Sequence, residues 1–369
     1  MVRTFPYGVT GVAAIVAEPT PIDDWARRAR IPYRNHPGRV LTGAEITRIM
    51  GVEGKSWDPL LFATLGPAVD AAGQALRSAG LTADDIDTFI TATSIPYEPV
   101  MDADAMRIAS ELGLRPEVVP IGLASGCAGL ARAAALLAGS DARRALVVTY
   151  NAPSRAMGDG AGGVADRYLH NMIHPTGSQL WASPALFSDG AAAMVFERDA
   201  GSGGMITYSR DPGDPLVLHP GGSSAQPLST LEGRMGAAYG MSSAAIKQYY
   251  RSGMIRNHQA LLSADPRYVE RSARVYLHQA NPLLVDDFVA AVGLPPEKAP
   301  SNVRTYGNLI TVSTPLLLHE DLMAGTVRRG DLIAVSLVGA GPERGAYYAP
   351  VLVPNVEELR SPRPALVAR

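Results

Sequence analysis

Along the chain, runs of apolar residues short enough to be strands alternate with longer stretches whose apolar and small residues recur at helical spacing. GVTGVAAIV, from Gly8 to Val16, reads as a buried strand, and Pro59 to Ala79 as an amphipathic helix with small residues turned inward. Ile86 to Ser94 predicts a second strand and Asp104 to Leu112 a helix. EVVPIGLAS then leads into a strongly apolar helix from Cys127 to Leu137 and the strand RALVVTY at Arg144 to Tyr150. This alternation implies parallel pairing. The glycine-rich, polar stretch from Asn151 to Leu180 predicts an excursion before a strand near Ala191, and Ala200 to Met235 reads as irregular. The alternation then restarts, with a helix near Ser242 to Leu262, a strand at Arg274 to Ala280 and a helix from Pro282. A helix from Ile310 to Ala324 and the strands DLIAVSLVG and GAYYAPVLV close it. Two halves rich in strand–helix units, 1–200 and 201–369, are the simplest organisation. The tail after Glu357 reads as dispensable.

Composition narrows the class. A chain of 369 residues, 47% hydrophobic and 18% charged, has the make-up of a packed globular enzyme. Its net charge of -2 gives no general attraction to nucleic acid or to an anionic membrane. No apolar segment approaches the ~20 uninterrupted residues of a membrane span, so neither export nor insertion is predicted. The single cysteine excludes an intramolecular disulfide and any site built on several thiolates, which fits a cytoplasmic setting.

Three residues then stand out. Cys127, in LASGCAGLARAAALLAG, lies between an apolar strand and an apolar helix. A sulfur at a helix N-terminus meets unpaired amides and the positive end of the dipole, which favour thiolate and so nucleophilic attack. Gly126, Ala128 and Gly129 leave room for a carbonyl to approach. On its own, such a cysteine is more often a small buried hydrophobe. His278, in VYLHQAN, closes a strand where α/β sheets offer side chains to a cleft. Asn308, in YGNLITVSTP, is an amide amid apolar residues; a Gly-Asn pair alone also makes an ordinary turn.

Together, GCAG at 126–129, HQAN at 278–281 and YGN at 306–308 resemble the ketoacyl-acyl-carrier-protein synthase III family of the thiolase superfamily. TATSIP at 91–96, SDGAAAMVFE at 188–197 and GAGPERGAYY at 339–348 extend the likeness over nearly the whole chain. The resemblance implies a thiolase-like α/β fold, duplicated halves in a layered αβαβα arrangement, and a homodimer. It implies that Cys127 carries an acyl group taken from acyl-CoA or an acyl carrier protein, and that His278 and Asn308 stabilise the enolate of a decarboxylating malonyl thioester. Backbone amides of Cys127 and Ala340 would form the oxyanion hole. No cofactor or metal is implied, CoA or phosphopantetheine thioesters being substrates. Lys55 is the one positive charge kept in RIMGVEGK, which matches a CoA-entrance segment, and Met101 is placed either in the core or across a dimer against the partner's acyl pocket. The stretch Pro282-Leu283-Leu284-Val285 lacks the arginine that follows HQAN in many relatives.

An alternative keeps the Cys127 acyl-enzyme but passes the acyl group to a hydroxyl or amine of another metabolite, with His278 as general base. Condensation without decarboxylation would need a glutamate, for which Glu98 is the nearest candidate; a non-catalytic subunit would need no reactive thiol. The run GDGAGG at 158–163 matches a dinucleotide-loop pattern but lies too far after its strand to present amides to pyrophosphate. His170 and His174 share a spacing without a third ligand and read as surface or dimer-loop residues. Asp189 reads as a turn residue bonding local backbone, and His319 and Glu320 as an exposed helix end.

Overall fold

The computed structural model describes residues 2–32, 38–98, 101–165, 182–201, 203–213, 217–218, 229, 240–241 and 243–360. Ten strands make two five-stranded sheets: β1 Val2–Thr4, β2 Tyr7–Ile15, β3 Thr88–Thr93, β4 Pro120–Ala124, β5 Arg144–Asn151, β6 Gly190–Arg198, β7 Met205–Arg210, β8 Ser272–Leu277, β9 Leu332–Gly339 and β10 Glu343–Pro350. The first sheet has the order β2-β6-β5-β3-β4 and the second β1-β7-β10-β9-β8. In the first, β2 to β6 and β6 to β5 are antiparallel and β5 to β3 is parallel. In the second, β7 to β10 and β10 to β9 are antiparallel and β9 to β8 is parallel. Four strands therefore repeat in the same order and sense. The halves differ at their edges, where β4 extends the first sheet in parallel and the N-terminal β1 crosses over to pair with β7.

The helices Gly129–Leu137 and Ser313–Ala324 lie between the two sheets. Leu130, Ala134, Leu137, Leu317, Leu318 and Leu322 share one core with Val9, Ile90 and Val147 of the first sheet and Ile333, Val335 and Tyr347 of the second. Helix Gly66–Ala79 covers the outer face of the first sheet, and Ser243–Ala264 with Pro282–Val292 that of the second. The result is the five-layer αβαβα arrangement. Burial on both faces explains why most strands are continuously apolar.

Some expectations needed correction. Met205–Arg210, inside the stretch read as irregular, is an interior strand of the second sheet; its short MITYSR pattern is masked by flanking glycines. The helix expected from Pro59 begins at Gly66, after a turn in which Asp58 accepts from the amides of Leu60 and Leu61. His319 and Glu320 do not lie at an exposed end: their helix is the central layer, and burial pushes the His319 imidazole down to about 4 and the Glu320 carboxyl upward. The second half of the Asn151–Leu180 excursion, with His170 and His174, lies outside the described residues. In the glycine run, Asp159 already accepts from the amides of Ala161 and Gly163, so those amides are occupied.

Candidate active site

Cys127, His278, Asn308 and Ala340 line one cavity of about 120 Å³, with Leu186, Phe187, Ile246, Tyr249, Tyr250, Leu284 and Ile310 among its mostly apolar walls. Each polar residue arrives on a different element for a local reason. Cys127 sits two residues before the helix Gly129–Leu137, after the end of β4. His278 directly follows β8, held by its amide on Ser336 O (2.9 Å) and by Tyr250 Oη donating to its carbonyl (2.9 Å). In the same HQAN run, Asn281 caps the next helix by accepting from the Leu284 amide, and Pro282 supplies a fixed φ at the first helical position. The motif's last letter and the proline after it thus serve the chain's direction as it leaves the site.

Asn308 is held on every side. Its amide donates to Leu186 O and its carbonyl accepts from the Ser188 amide, both at 2.9 Å. Its side-chain Oδ1 accepts from Ile310 N (2.8 Å), and Nδ2 donates one proton to Ala280 O (3.1 Å), which ties it to the histidine motif. Gly307 has φ +75° and a Cβ there would meet Ser188 Oγ at 2.3 Å, so the YGN pattern needs its glycine for both conformation and space. Gly339 has an equivalent reason: a Cβ would meet the Ala128 Cβ at 2.9 Å. Its absence lets the turn bearing Ala340 close onto the Cys127–Ala128 segment.

The electrostatics correct one expectation. Burial pushes the Cys127 thiol up to about 12, against a backbone hydrogen bond that lowers it, and the Glu343 charge adds to the rise. The resting sulfur is a thiol; desolvation outweighs the helix end. Burial drives the His278 imidazole down to about 3, so it is neutral at pH 7, and its Nδ1 is buried without a partner among the described residues. A neutral imidazole beside a carboxamide can donate to an oxyanion without carrying charge of its own.

Lys55 is not at an entrance. It is fully buried, donating to Phe187 O (2.6 Å), Ala185 O (3.2 Å) and Ser188 Oγ (3.2 Å), with its ammonium 4.9 Å from the Trp25 ring centre and 5.3 Å from that of Trp57. Desolvation lowers it to about 7, and Asp189 nearby opposes that fall. It cannot meet a CoA phosphate at the surface. Asp189 does bond backbone, though of distant segments: it accepts from the amides of Ser154 and Asp58, both at 2.8 Å. Met101 is 90% exposed with φ +66°, which excludes the core role. Glu98 lines a neighbouring recess of about 430 Å³ that shares Ser94 and Gly126 with the Cys127 cavity.

Two features were not foreseen. Tyr249 and Tyr250 wall the cavity from the helix Ser243–Ala264. Arg132, a lone charge in an apolar helix, makes a bidentate pair with Glu343 at 2.9 and 2.7 Å, joining the nucleophile helix to the strand that follows Ala340. A charge in such a helix must find a partner, which was the available signal.

The family profile described as 3-oxoacyl-[acyl-carrier-protein] synthase III, C-terminal, matches residues 269–349. The β-ketoacyl-[acyl-carrier-protein] synthase III of Rhizobium rhizogenes is 30% identical over 290 residues, covering 75% of this chain and 80% of that protein. The chain belongs to the ketoacyl synthase III family. Another member, β-ketoacyl-[acyl-carrier-protein] synthase III 3 of Streptomyces coelicolor, is 28% identical over 84% of this chain and 92% of its own. Among solved structures, 3-oxoacyl-(acyl carrier protein) synthase III of Pseudomonas aeruginosa aligns with TM-score 0.72 and 24% identity, over 95% of this chain and 99% of that one. Xanthomonas campestris OleA with bound lauric acid and lauroyl-CoA aligns with TM-score 0.74 and 18% identity, over 93% and 99%. Both share the thiolase-like fold. The ketoacyl synthase III relatives make this a member of a condensing-enzyme family, and among its described residues no helix is long and apolar enough to cross a membrane.

Proposed function

We propose that this ketoacyl synthase III member accepts an acyl group on Cys127 from acyl-CoA or an acyl carrier protein and condenses it with a malonyl thioester, in fatty-acid or polyketide metabolism. The observation that carries the reading is the meeting of Cys127, a neutral His278 and a backbone-locked Asn308 in one apolar cavity. In the first step the sulfur attacks the donor thioester carbonyl, loses its proton, and expels the donor thiol. The tetrahedral oxyanion would lie on the amides of Cys127 and Ala340. In the second, malonyl decarboxylation releases CO₂ and leaves an enolate whose oxygen takes hydrogen bonds from His278 and Asn308. The enolate carbon then attacks the acyl carbonyl, and the Cys127 sulfur leaves and regains a proton. No cofactor or metal takes part in these steps.

The protein would act as a homodimer. Strand β4 is an edge whose residues Ile121 and, just before it, Val119 are exposed, as are Met101 and Met106 on the neighbouring segment and helix. An open edge beside exposed apolar side chains favours pairing with a second copy, which would also cover Met101.

Transfer of the acyl group to a hydroxyl or amine is a second reading, favoured by the polar recess beside Cys127, which is lined by Thr93, Ser94, Glu98, Asp102, Ser125 and Tyr150. Intact-protein mass spectrometry with acetyl-, octanoyl- and lauroyl-CoA and the same acyl groups on an acyl carrier protein, with and without malonyl-CoA or malonyl-carrier protein, separates the two, with Cys127→Ala as control. An adduct that malonyl thioester converts to ketoacyl product supports condensation. A stable adduct discharged only by amines or alcohols supports transfer. No adduct with any donor refutes both.

A further inference from the structure

The geometry points to Lys55 as a positioning residue for Asn308, acting through the Ala185–Ser188 strap and resting on the decarboxylating role proposed for that asparagine. The strap and Asn308 are one assembly. Leu186 O and Ser188 N grip the Asn308 backbone from both sides, and Phe187 pairs with Asn308 as an isolated parallel bridge. Leu186 and Phe187 also present their side chains to the Cys127 cavity. What fixes the strap is the Lys55 ammonium, whose three protons match three acceptors on it: the carbonyls of Ala185 and Phe187 and the hydroxyl of Ser188.

Lys55 is itself anchored to the other flank of Asn308. The Glu53 amide donates to Arg304 O and the Ser56 amide to Tyr306 O, so the 53–56 segment runs hydrogen-bonded beside the chain that ends in Gly307-Asn308. Gly54 permits this contact, since a Cβ there would meet Thr305 O at 2.4 Å. The side chain then crosses to the strap beside the edge-to-face pair of Trp25 and Trp57, its ammonium 4.9 and 5.3 Å from their ring centres. Asn308 is thereby held between two backbones that one lysine joins. Cys127 follows β4, which two strands separate from the β6 that the strap enters, and it packs against the same apolar cluster as Ala185 and Phe187 without a hydrogen bond to Lys55, the strap or Asn308. Loosening the strap therefore acts on Asn308 through direct hydrogen bonds and on Cys127 only through apolar packing.

The test separates the two half-reactions in the full-length protein. Acylation of Cys127 by acetyl-, octanoyl- or lauroyl-CoA is followed by intact mass, and CO₂ release from malonyl-CoA by the acyl-enzyme is followed in parallel. Lys55→Met keeps a linear apolar side chain beside the tryptophans and removes all three hydrogen bonds to the strap. The expected result is acylation within about twofold of the parent and CO₂ release slowed roughly 10- to 100-fold, since loss of one oxyanion donor costs ~10²–10³ and a displaced one less. If Lys55→Met does not fold, Ser188→Ala carries the test. It removes one of the three acceptors while keeping the backbone bond to Asn308, and the same split is expected at roughly two- to fivefold. Equal slowing of both steps, or no slowing of either, overturns the proposal. A parent protein that forms the adduct yet releases no CO₂, or forms none, refutes the condensing reading itself, and the Lys55 role falls with it.

Discussion

Replacing Arg132 by methionine tests the pairing that joins the nucleophile helix to the turn after β9. Glu343 is 3% exposed and accepts from Arg132 Nε at 2.9 Å, Arg132 Nη2 at 2.7 Å and Tyr208 Oη at 2.5 Å. Removing the guanidinium leaves a buried carboxylate with one neutral donor. Breaking a fully buried pair costs about 3–5 kcal/mol, but Arg132 is 32% exposed and part of its attraction is already screened by water. The expected loss is about 2–3 kcal/mol. Glu343→Gln added to Arg132→Met should recover most of it, because a buried amide needs no counter-charge. Urea unfolding followed by tryptophan fluorescence measures both variants. A loss under about 0.5 kcal/mol, or no recovery in the double variant, refutes the reasoning.

Iodoacetamide labelling of Cys127 in the free protein should rise about tenfold per pH unit from pH 7 to 10 without levelling, because the thiol, pushed up to about 12, titrates above that range. A plateau below pH 9 would show that the helix end outweighs burial after all. Gly339→Ala should slow Cys127 acylation by roughly tenfold or more, since its methyl would stand 2.9 Å from that of Ala128 and push the Ala340 amide outward; an unchanged rate in stopped-flow acylation argues against Ala340 as an oxyanion donor. Val119→Lys on the exposed approach to β4 should shift sedimentation velocity toward monomer, and an unchanged dimer would place the interface elsewhere.

Much of the site was legible in the sequence because it is written in short segments. Cys127 before an apolar helix, His278 at a strand end and Asn308 after a glycine each carry a local reason to stand where they do. The alternation of apolar runs with helical spacing indicated two strand–helix halves with parallel pairing, and the layered arrangement was implied by the likeness of the GCAG, HQAN and YGN motifs to the family. The strand Met205–Arg210 escaped because its six residues do not outweigh the glycines around it.

What the sequence by itself determined is therefore which polar side chains line the cavity, most elements, and the family to which the chain belongs. Only the tertiary structure decided their surroundings. Lys55 became a buried clamp and not an entrance charge, because its three acceptors lie about 130 residues further along the chain. Cys127 became a protonated thiol because burial by distant segments desolvates it, and the Glu343 charge from β10 adds to the rise. Arg132 found its partner 211 residues away. Local rules read spacing and caps, whereas burial, charge pairing and the state of a proton depend on contacts that exist only once distant segments have met.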